Sequence, residues 1–261
     1  MRVWVIAAIL VMPASAQWLN YPTPGIPRTP DGKPNLSAPA PRTPDGKPDF
    51  SGIWDVEHNR PCPCNDMPIP QEFVDIGWGL KDGLPYRPWA ADLVKDRIAD
   101  FGKDDPSSHC LPNGLVKTYT TPLFRKIVQV PGLIVILSER DASYRQIFTD
   151  GRALPLDPQP SWNGYSSGKW DGDTLVVQTN GFRDGMWLDR NGSPLTDAAK
   201  MTERIRRVNF GKLEIEITVD DPKAYTKPWT VKLNQLLVPD TDMLDYICLE
   251  NEKDNAHLIG K

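Results

Sequence analysis

A charged run in the second half of the chain holds the side chains best suited to binding or transforming a ligand. It reads Glu203-Arg204-Ile205-Arg206-Arg207. In a β-strand, alternation places Arg204 and Arg206 on one face, and Glu203, Ile205 and Arg207 on the other. An arginine that points into a protein interior is costly unless it is paired or binds an anion. We therefore predict that Arg204 and Arg206 bind a carboxylate or sulfate group, with a cross-strand ladder of ion pairs as the alternative.

Aromatic side chains form a second candidate group. The chain contains nine tryptophans, and an indole ring offers a large flat surface with one hydrogen-bond donor for stacking against a ligand. Trp187 lies in a polar stretch between Asp184 and Asp189, and Trp162 begins the sequence Trp-Asn-Gly-Tyr. We predict that Trp162 and Trp187 line the same pocket as the two arginines, with packing in the core as the alternative.

Catalysis, if the chain is an enzyme, would depend on carboxylates. The sequence contains no nucleophile elbow, phosphate-binding loop, dinucleotide fingerprint or zinc-protease motif. Ser161, Ser166 and Ser167 have no histidine at a spacing that indicates a catalytic triad. General acid–base chemistry would then use Glu203 or Asp184. A hydrolase or isomerase is thus the enzymatic alternative, and the sequence does not decide whether turnover occurs.

Four cysteines suggest a covalent scaffold in an oxidising compartment. They allow three pairings, of which we favour Cys110 with Cys248, because this bond would tie the end of an inserted segment to the last strand. Cys62 and Cys64 are separated only by a proline, so a bond between them would be strained, and their state stays open.

The cysteine-rich stretch also has the composition of a metal site. His58, Cys62, Cys64 and Asp66 lie within nine positions of one another, and thiolates with imidazole suit copper or zinc. Their spacing matches no standard zinc finger, and disulfide formation competes for the thiols outside the cytosol. We therefore predict no metal and no cofactor.

The amino terminus has the three parts of a secretory signal peptide, which we place at residues 1–16. Arg2 supplies a positive charge, an apolar run follows, and Ala14-Ser15-Ala16 is a small-residue cleavage site. The apolar run is too short to span a bilayer. We predict a periplasmic or secreted protein. The formal net charge of −4 argues against nucleic acid as a partner, because phosphate binding needs a basic face.

A proline-rich segment at residues 17–49 precedes the part of the chain that can form a core. The octapeptide Pro-Arg-Thr-Pro-Asp-Gly-Lys-Pro occurs twice, at residues 27–34 and 41–48. Proline fixes φ and removes a backbone donor, so the composition predicts an extended linker. Contact with an envelope partner through this segment is a further hypothesis.

Residues 50–261 carry the pattern of an antiparallel β-sheet. In the run 212–219, Leu213, Ile215 and Ile217 alternate with glutamates, which is typical of a strand with one buried face. No amphipathic helix of crossover length separates the β-rich runs, so a meander is expected, and closure into a barrel would remove its edges. One helix, from Pro88 to Gly102, is predicted within an insertion near residues 66–110. The β-rich runs are 50–56, 123–130, 133–137, 144–149, 165–170, 174–179, 202–210, 212–219, 230–238 and 244–249.

Several short motifs resemble known barrels. Gly52-Ile53-Trp54 is similar to the Gly-x-Trp opening of lipocalins and related calycin barrels, and residues 168–179, 202–207 and 211–218 resemble the later strands of fatty-acid-binding-protein-like barrels. Lipocalins place an arginine late in the chain over that tryptophan, and here no arginine follows Arg207. The motifs Asp-Gly-Arg at 150–152, Trp-x-Gly-Tyr at 162–165 and Asp-Pro at 221–222 also resemble an exported bacterial family without an assigned activity.

Fold and residues together predict a mainly β protein, an antiparallel meander closing into a lipocalin-like β-barrel with one inserted helix. The leading functional hypothesis is an exported protein that binds a small amphipathic or anionic molecule inside the barrel. A hydrolase or isomerase on the same barrel is the first alternative. A structural envelope protein, whose barrel would be filled with side chains, is the second.

Overall fold

The computed structural model describes residues 22–57, 69–248 and Glu250. The predicted signal peptide lies outside the described residues, and so do His58, Cys62, Cys64 and Asp66. In the part of the chain that is described, none of the helices has the length and apolar character needed to cross a bilayer.

Strands dominate the described chain, with short helices between the first two of them. The helical elements are α1 (Gln71–Val74), α2 (Pro88–Ala99), a 3₁₀ turn (Pro106–His109) and α3 (Leu115–Thr120). The strands are β1 (Gly52–Val56), β2 (Arg125–Val130), β3 (Leu133–Ser138), β4 (Tyr144–Phe148), β5 (Tyr165–Asp171), β6 (Thr174–Asn180), β7 (Met186–Trp187), β8 (Pro194–Leu195), β9 (Lys200–Asn209), β10 (Lys212–Asp220) and β11 (Trp229–Leu237).

Nine strands of the described chain close into a barrel in the order β1-β11-β10-β9-β6-β5-β4-β3-β2. Closure occurs at β1, which pairs with β11 along one edge and with β2 along the other. The prediction of a mainly β closed barrel is therefore confirmed. β7 and β8 pair with each other as a separate two-stranded sheet.

The expectation of antiparallel pairing throughout is wrong at one place, between β4 and β5. These strands run parallel and share only the pairs Ile147↔Ser166 and Phe148↔Ser167. The reason lies in the connection 149–164, which returns the chain to the end of the barrel where β4 began. Parallel strands need such a crossover, whereas a tight hairpin can join only antiparallel ones.

Alternation along the strands fills the barrel with apolar side chains. In β10, Leu213, Ile215 and Ile217 are buried, while the residues between them face outward. α3 closes one end, with Leu115 and Tyr119 buried against the core. The barrel therefore has a packed interior and a covered end.

The inserted helix and one disulfide agree with prediction. α2 begins at Pro88, as predicted, and ends at Ala99, three residues before the predicted stop at Gly102. Cys110 and Cys248 form a disulfide, which ties the inserted segment to the chain beyond β11.

The last predicted strand, 244–249, does not form in its described part. Tyr246 makes an isolated bridge with Arg140, and no ladder extends from it within the described residues up to Cys248. β1 already pairs with β11, so the barrel offers no edge to a further strand.

Residues 22–49 differ from the extended linker that the sequence predicts. Each octapeptide folds into the same turn, in which Thr29 N donates to Lys33 O at 2.8 Å and Thr43 N donates to Lys47 O at 2.8 Å. The first turn is attached to the barrel by an ion pair between Arg28 and Asp240, and the second by one between Arg42 and Asp173. The Asp-Gly pair in each repeat favours a turn, and the barrel provides a surface for it.

Candidate functional site

A buried ion pair occupies the interior of the barrel. Arg145 on β4 and Glu203 on β9 are both buried, and Arg145 Nη1 donates to Glu203 Oε1 at 3.0 Å while Nη2 bonds the second carboxylate oxygen. Arg145 also donates to the hydroxyl of Tyr119 at 2.8 Å and to Ser166 and Thr179. The guanidinium thus connects β4 with α3, β5, β6 and β9.

In this network the charged groups of Arg145 and Glu203 are paired with each other. Burial acts to lower the pKa of Arg145, but the Glu203 carboxylate and Tyr119 more than offset it, so that the pKa lies above its ordinary value. Burial also raises the pKa of the Tyr119 hydroxyl, and the nearby Glu203 adds to the shift. Both oxygens of Glu203 accept from Arg145, which leaves the carboxylate poorly placed to take a proton from a substrate.

The barrel interior has room for little more than a water molecule. Its remaining cavity measures about 10 Å³ and is lined mostly by apolar side chains, among them Trp54, Ile147 and Ile215. A single water needs roughly 10–15 Å³. Among the residues that the structure describes, this interior cavity is therefore too small for the ligand that the leading hypothesis places inside the barrel.

Arg204 and Arg206 lie on the outside of the barrel, and the prediction that they point inward is wrong. Arg204 pairs with Asp171 at 3.2 Å, and Arg206 pairs with Glu214 at 2.8 Å. The orientation follows from Ile205, which lies opposite Leu175 and Ile215 in the core and turns its neighbours outward. The two arginines therefore form cross-strand ion pairs, which is the alternative interpretation given for them above.

The remaining predicted site residues are not brought together. Trp187 is 3% exposed, with the guanidinium of Arg97 at 4.4 Å from its ring centre, so it packs in the core. Asp184 is exposed, whereas Glu203 is buried inside the barrel. The described residues contain no group of three or more histidine, cysteine, aspartate or glutamate side chains that could hold a metal ion.

Trp162 does line a cavity, at the place where β4 and β5 part. This seam cavity measures about 430 Å³. Four aromatic side chains form much of its wall, with serine, asparagine and glutamine side chains between them. The four are Tyr144, Phe148, Trp162 and Tyr165.

The rings of the seam cavity are held by neighbouring groups. Phe148 and Tyr165 stack with their centres 5.3 Å apart. Arg152 lies 3.8 Å from the centre of the Phe148 ring and pairs with Asp150, and Arg183 lies 5.2 Å from the centre of the Trp162 ring. Guanidinium groups over aromatic faces are favourable contacts.

Short pairing of the two strands creates the opening. Beyond Ile147↔Ser166 the β-ladder stops, and the side-chain amide of Asn163 donates to the backbone oxygen of Tyr144 at 2.9 Å. The Asn163 side chain thus replaces the backbone N–H that a paired strand would offer to Tyr144. A gap therefore remains between β4 and the chain before β5.

At the opposite side of the barrel, Arg207 covers the ring of Trp54. Its guanidinium carbon lies 4.9 Å from the ring centre. Gly52 has a φ of 143°, and a side chain there would bring Cβ within 2.6 Å of Leu237 Cδ1, so this position of the Gly-Ile-Trp motif requires glycine. The last arginine of the sequence is therefore the one that packs on the opening tryptophan.

These features define a closed β-barrel that is compatible with the calycin type. Comparison with known proteins adds no closer assignment, because no protein-family model matches the chain and no curated protein matches it. The resemblance to an exported bacterial family finds no support there.

Arg145, Tyr119 and the inward side of β9 are not among the residues predicted from the sequence. A usable signal is present in the sequence, because β4 contains the aliphatic residue Ile147 and β9 contains Ile205. The face that carries them had to be buried, and it also carries Arg145 and Glu203.

Proposed function

We propose that the protein binds a small amphipathic molecule in the seam cavity between β4 and β5. The observation that supports this most is a cavity of about 430 Å³ with four aromatic side chains in its wall. Ligand sites commonly have volumes of about 300–1,000 Å³ and combine apolar walls with a few polar groups. The interior cavity of about 10 Å³ offers no comparable space.

The lining suggests a ligand with a flat, preferably aromatic, apolar part. Trp162 and Tyr165 provide faces for stacking, and Asn163 and Gln146 add polar contacts. Arg183 is exposed and lies against Trp162, so an anionic group on the ligand would find a cation at this ring. An amphipathic anion with an aromatic body fits this set of groups best.

Export is part of the proposal, and the disulfide supports it. The bond between Cys110 and Cys248 is of the kind that persists in the periplasm or outside the cell. The signal-peptide pattern of residues 1–16 points the same way.

A second candidate function is a structural role in the cell envelope. It is favoured by the filled barrel, together with the docking of residues 22–49 on the outside of the barrel. In that case the seam cavity would bind no small molecule. The enzymatic alternative has less support, because Glu203 is held by Arg145 and Asp184 is exposed elsewhere.

Titration with 8-anilinonaphthalene-1-sulfonate, an aromatic amphipathic anion whose fluorescence rises in apolar sites, tests the proposal. We expect one saturable site per chain in the native protein. Tyr144→Ala changes a side chain that is 64% exposed and should weaken binding about tenfold, since loss of a ring contact costs about 0.5–1.5 kcal/mol beyond area burial.

Phe101→Ala is the matched control, because Phe101 is 95% exposed and does not line the seam cavity. It should leave the dissociation constant unchanged. Absence of saturable binding to the native protein would favour the structural role, and equal weakening by both variants would exclude the seam as the site.

A further inference from the structure

A second cavity lies between the proline-rich segment and the barrel. Its volume is about 440 Å³. Thr23–Ile26 and Pro41 form the outer wall, and the barrel contributes the ends of β1 and β11 with the turn after β9. The apolar part of the lining consists of Ile26, Ile53, Phe210, Leu237 and Val238.

Arg207 brings a buried positive charge to this cavity. The residue is 5% exposed, and its guanidinium donates to the backbone oxygens of Asp49, Ser51 and Phe210. Among the described residues, no carboxylate lies within ion-pair distance, 4.0 Å, of Arg207. Burial lowers the pKa of Arg207 to about 10, and the charge of Asp49 partly offsets the effect.

The other charged groups that line the cavity have closer partners. Lys126 pairs with Asp242 at 3.1 Å, and the Asp49 carboxylate accepts from the backbone N–H of Ser51 at 2.8 Å. Arg207 differs from them because its charge is balanced by backbone oxygens, by the rings of Trp54 and Phe210 at 4.9 and 5.0 Å, and by Asp49 at longer range, with no carboxylate among the described residues in ion-pair contact. A buried cation without a close counter-charge is costly, and an anion beside it recovers part of that cost.

We propose that this cavity is a second binding site, separate from the seam, for a hydrophobic monocarboxylate. The carboxylate would lie at the guanidinium of Arg207, and the apolar body would lie against Ile26, Ile53 and Leu237.

The proposal also gives the duplicated octapeptide a role. The first turn is held by Arg28 on Asp240, and Asp240 also accepts from the backbone N–H of Thr23 at 2.7 Å. The second turn begins at Pro41, which is part of the wall itself, and is held by Arg42 on Asp173. Two copies of one turn thus fix both ends of the outer wall.

Calorimetric titration with decanoate and with 1-decanol tests the head-group assignment. We expect saturable binding of decanoate at least about tenfold tighter than that of decanol, because a hydrogen bond to a charged group contributes more than one between neutral groups. Equal affinity for the acid and the alcohol would overturn the assignment to Arg207.

Ile26→Trp tests the location without altering a strand of the barrel. The larger side chain fills the cavity from the outer wall, so decanoate binding should be lost while thermal unfolding of the barrel is preserved. Ile247→Trp, at an exposed position that does not line the cavity, is the matched control and should bind normally. Unchanged binding in Ile26→Trp would overturn the proposal.

Tyr144→Ala separates this site from the seam cavity. It should leave decanoate affinity unchanged, whatever it does to the aromatic anion. Loss of decanoate binding in Tyr144→Ala, with retention in Ile26→Trp, would place the carboxylate in the seam and contradict the second site.

Discussion

The two faces of β9 carry similar residues with very different surroundings. Outside, Arg204 and Arg206 form ion pairs in which the arginine side chains are about half exposed, 46% and 55%. Inside, Glu203 is fully buried against Arg145, and Arg207 is buried against backbone oxygens and Trp54. Sequence alternation separates the two sets, but burial determines what each charge contributes to stability and binding.

The difference has a physical origin in solvation. Exposed ion pairs are screened by water and typically contribute about 0–1 kcal/mol. A buried pair gains little net stability relative to an apolar pair, yet removing one partner leaves an uncompensated charge. The inner face of β9 should therefore be far more sensitive to substitution than the outer face.

The largest expected effect comes from Arg145→Met, which leaves the buried Glu203 carboxylate without its ion-pair partner. We expect a loss of about 3–5 kcal/mol in the free energy of unfolding, measured by urea denaturation with circular dichroism. The double variant Arg145→Met/Glu203→Leu removes both charges and should recover most of the loss. A double variant as unstable as the single one would show that the cost comes from packing rather than charge.

A second contrast between inside and outside concerns tyrosine ionisation. Burial raises the pKa of Tyr86, Tyr119 and Tyr225, whereas Tyr144 and Tyr246 are exposed. In the unfolded chain all of these groups ionise near pH 10. The folded state therefore holds more protons above that pH, and its stability should fall as pH rises from about 10.

Ultraviolet absorbance during an alkaline titration measures this contrast. Tyr86, Tyr119 and Tyr225 should ionise well above pH 10, and only together with loss of the near-ultraviolet circular dichroism. Ionisation of these three tyrosines at pH 10, with the tertiary signal intact, would be at odds with their raised pKa.

The smallest expected effect is on the outer face. Arg206→Ala should change the free energy of unfolding by no more than about 1 kcal/mol, and a double-mutant cycle with Glu214→Ala should give a coupling that shrinks at high salt. If Arg206→Ala lowered the free energy of unfolding as much as Arg145→Met, the two faces of β9 would not differ in sensitivity to substitution.

Much of the fold is readable from the sequence because strand patterns are local. The alternation in β10, the Pro88 start of α2 and the disulfide partners Cys110 and Cys248 were each predicted, and the structure agrees. The orientation of β9 could not be predicted in this way, because alternation defines two faces of a strand but does not tell which of them is buried. The buried face is identified by the pairing of Ile205 with Leu175 and Ile215.

The candidate site was predicted only in part, because it depends on contacts between distant segments. Trp162 is predicted to line a pocket inside the barrel with Arg204 and Arg206, whereas the cavity that it lines arises where β4 and β5 run parallel and separate, so its ligand-binding role stays a prediction. The wall formed by residues 22–49 was also unforeseen, since proline content predicts an extended chain and says nothing of the ion pairs at Arg28 and Arg42.

We propose that small molecules bind at the seam and not inside the barrel. Photo-crosslinking with a diazirine-bearing naphthalenesulfonate, followed by peptide mass spectrometry, distinguishes the two locations. We expect adducts on residues 144–148 and 161–165. Adducts on residues that line the interior, such as Ile205 and Ile215, would contradict this proposal.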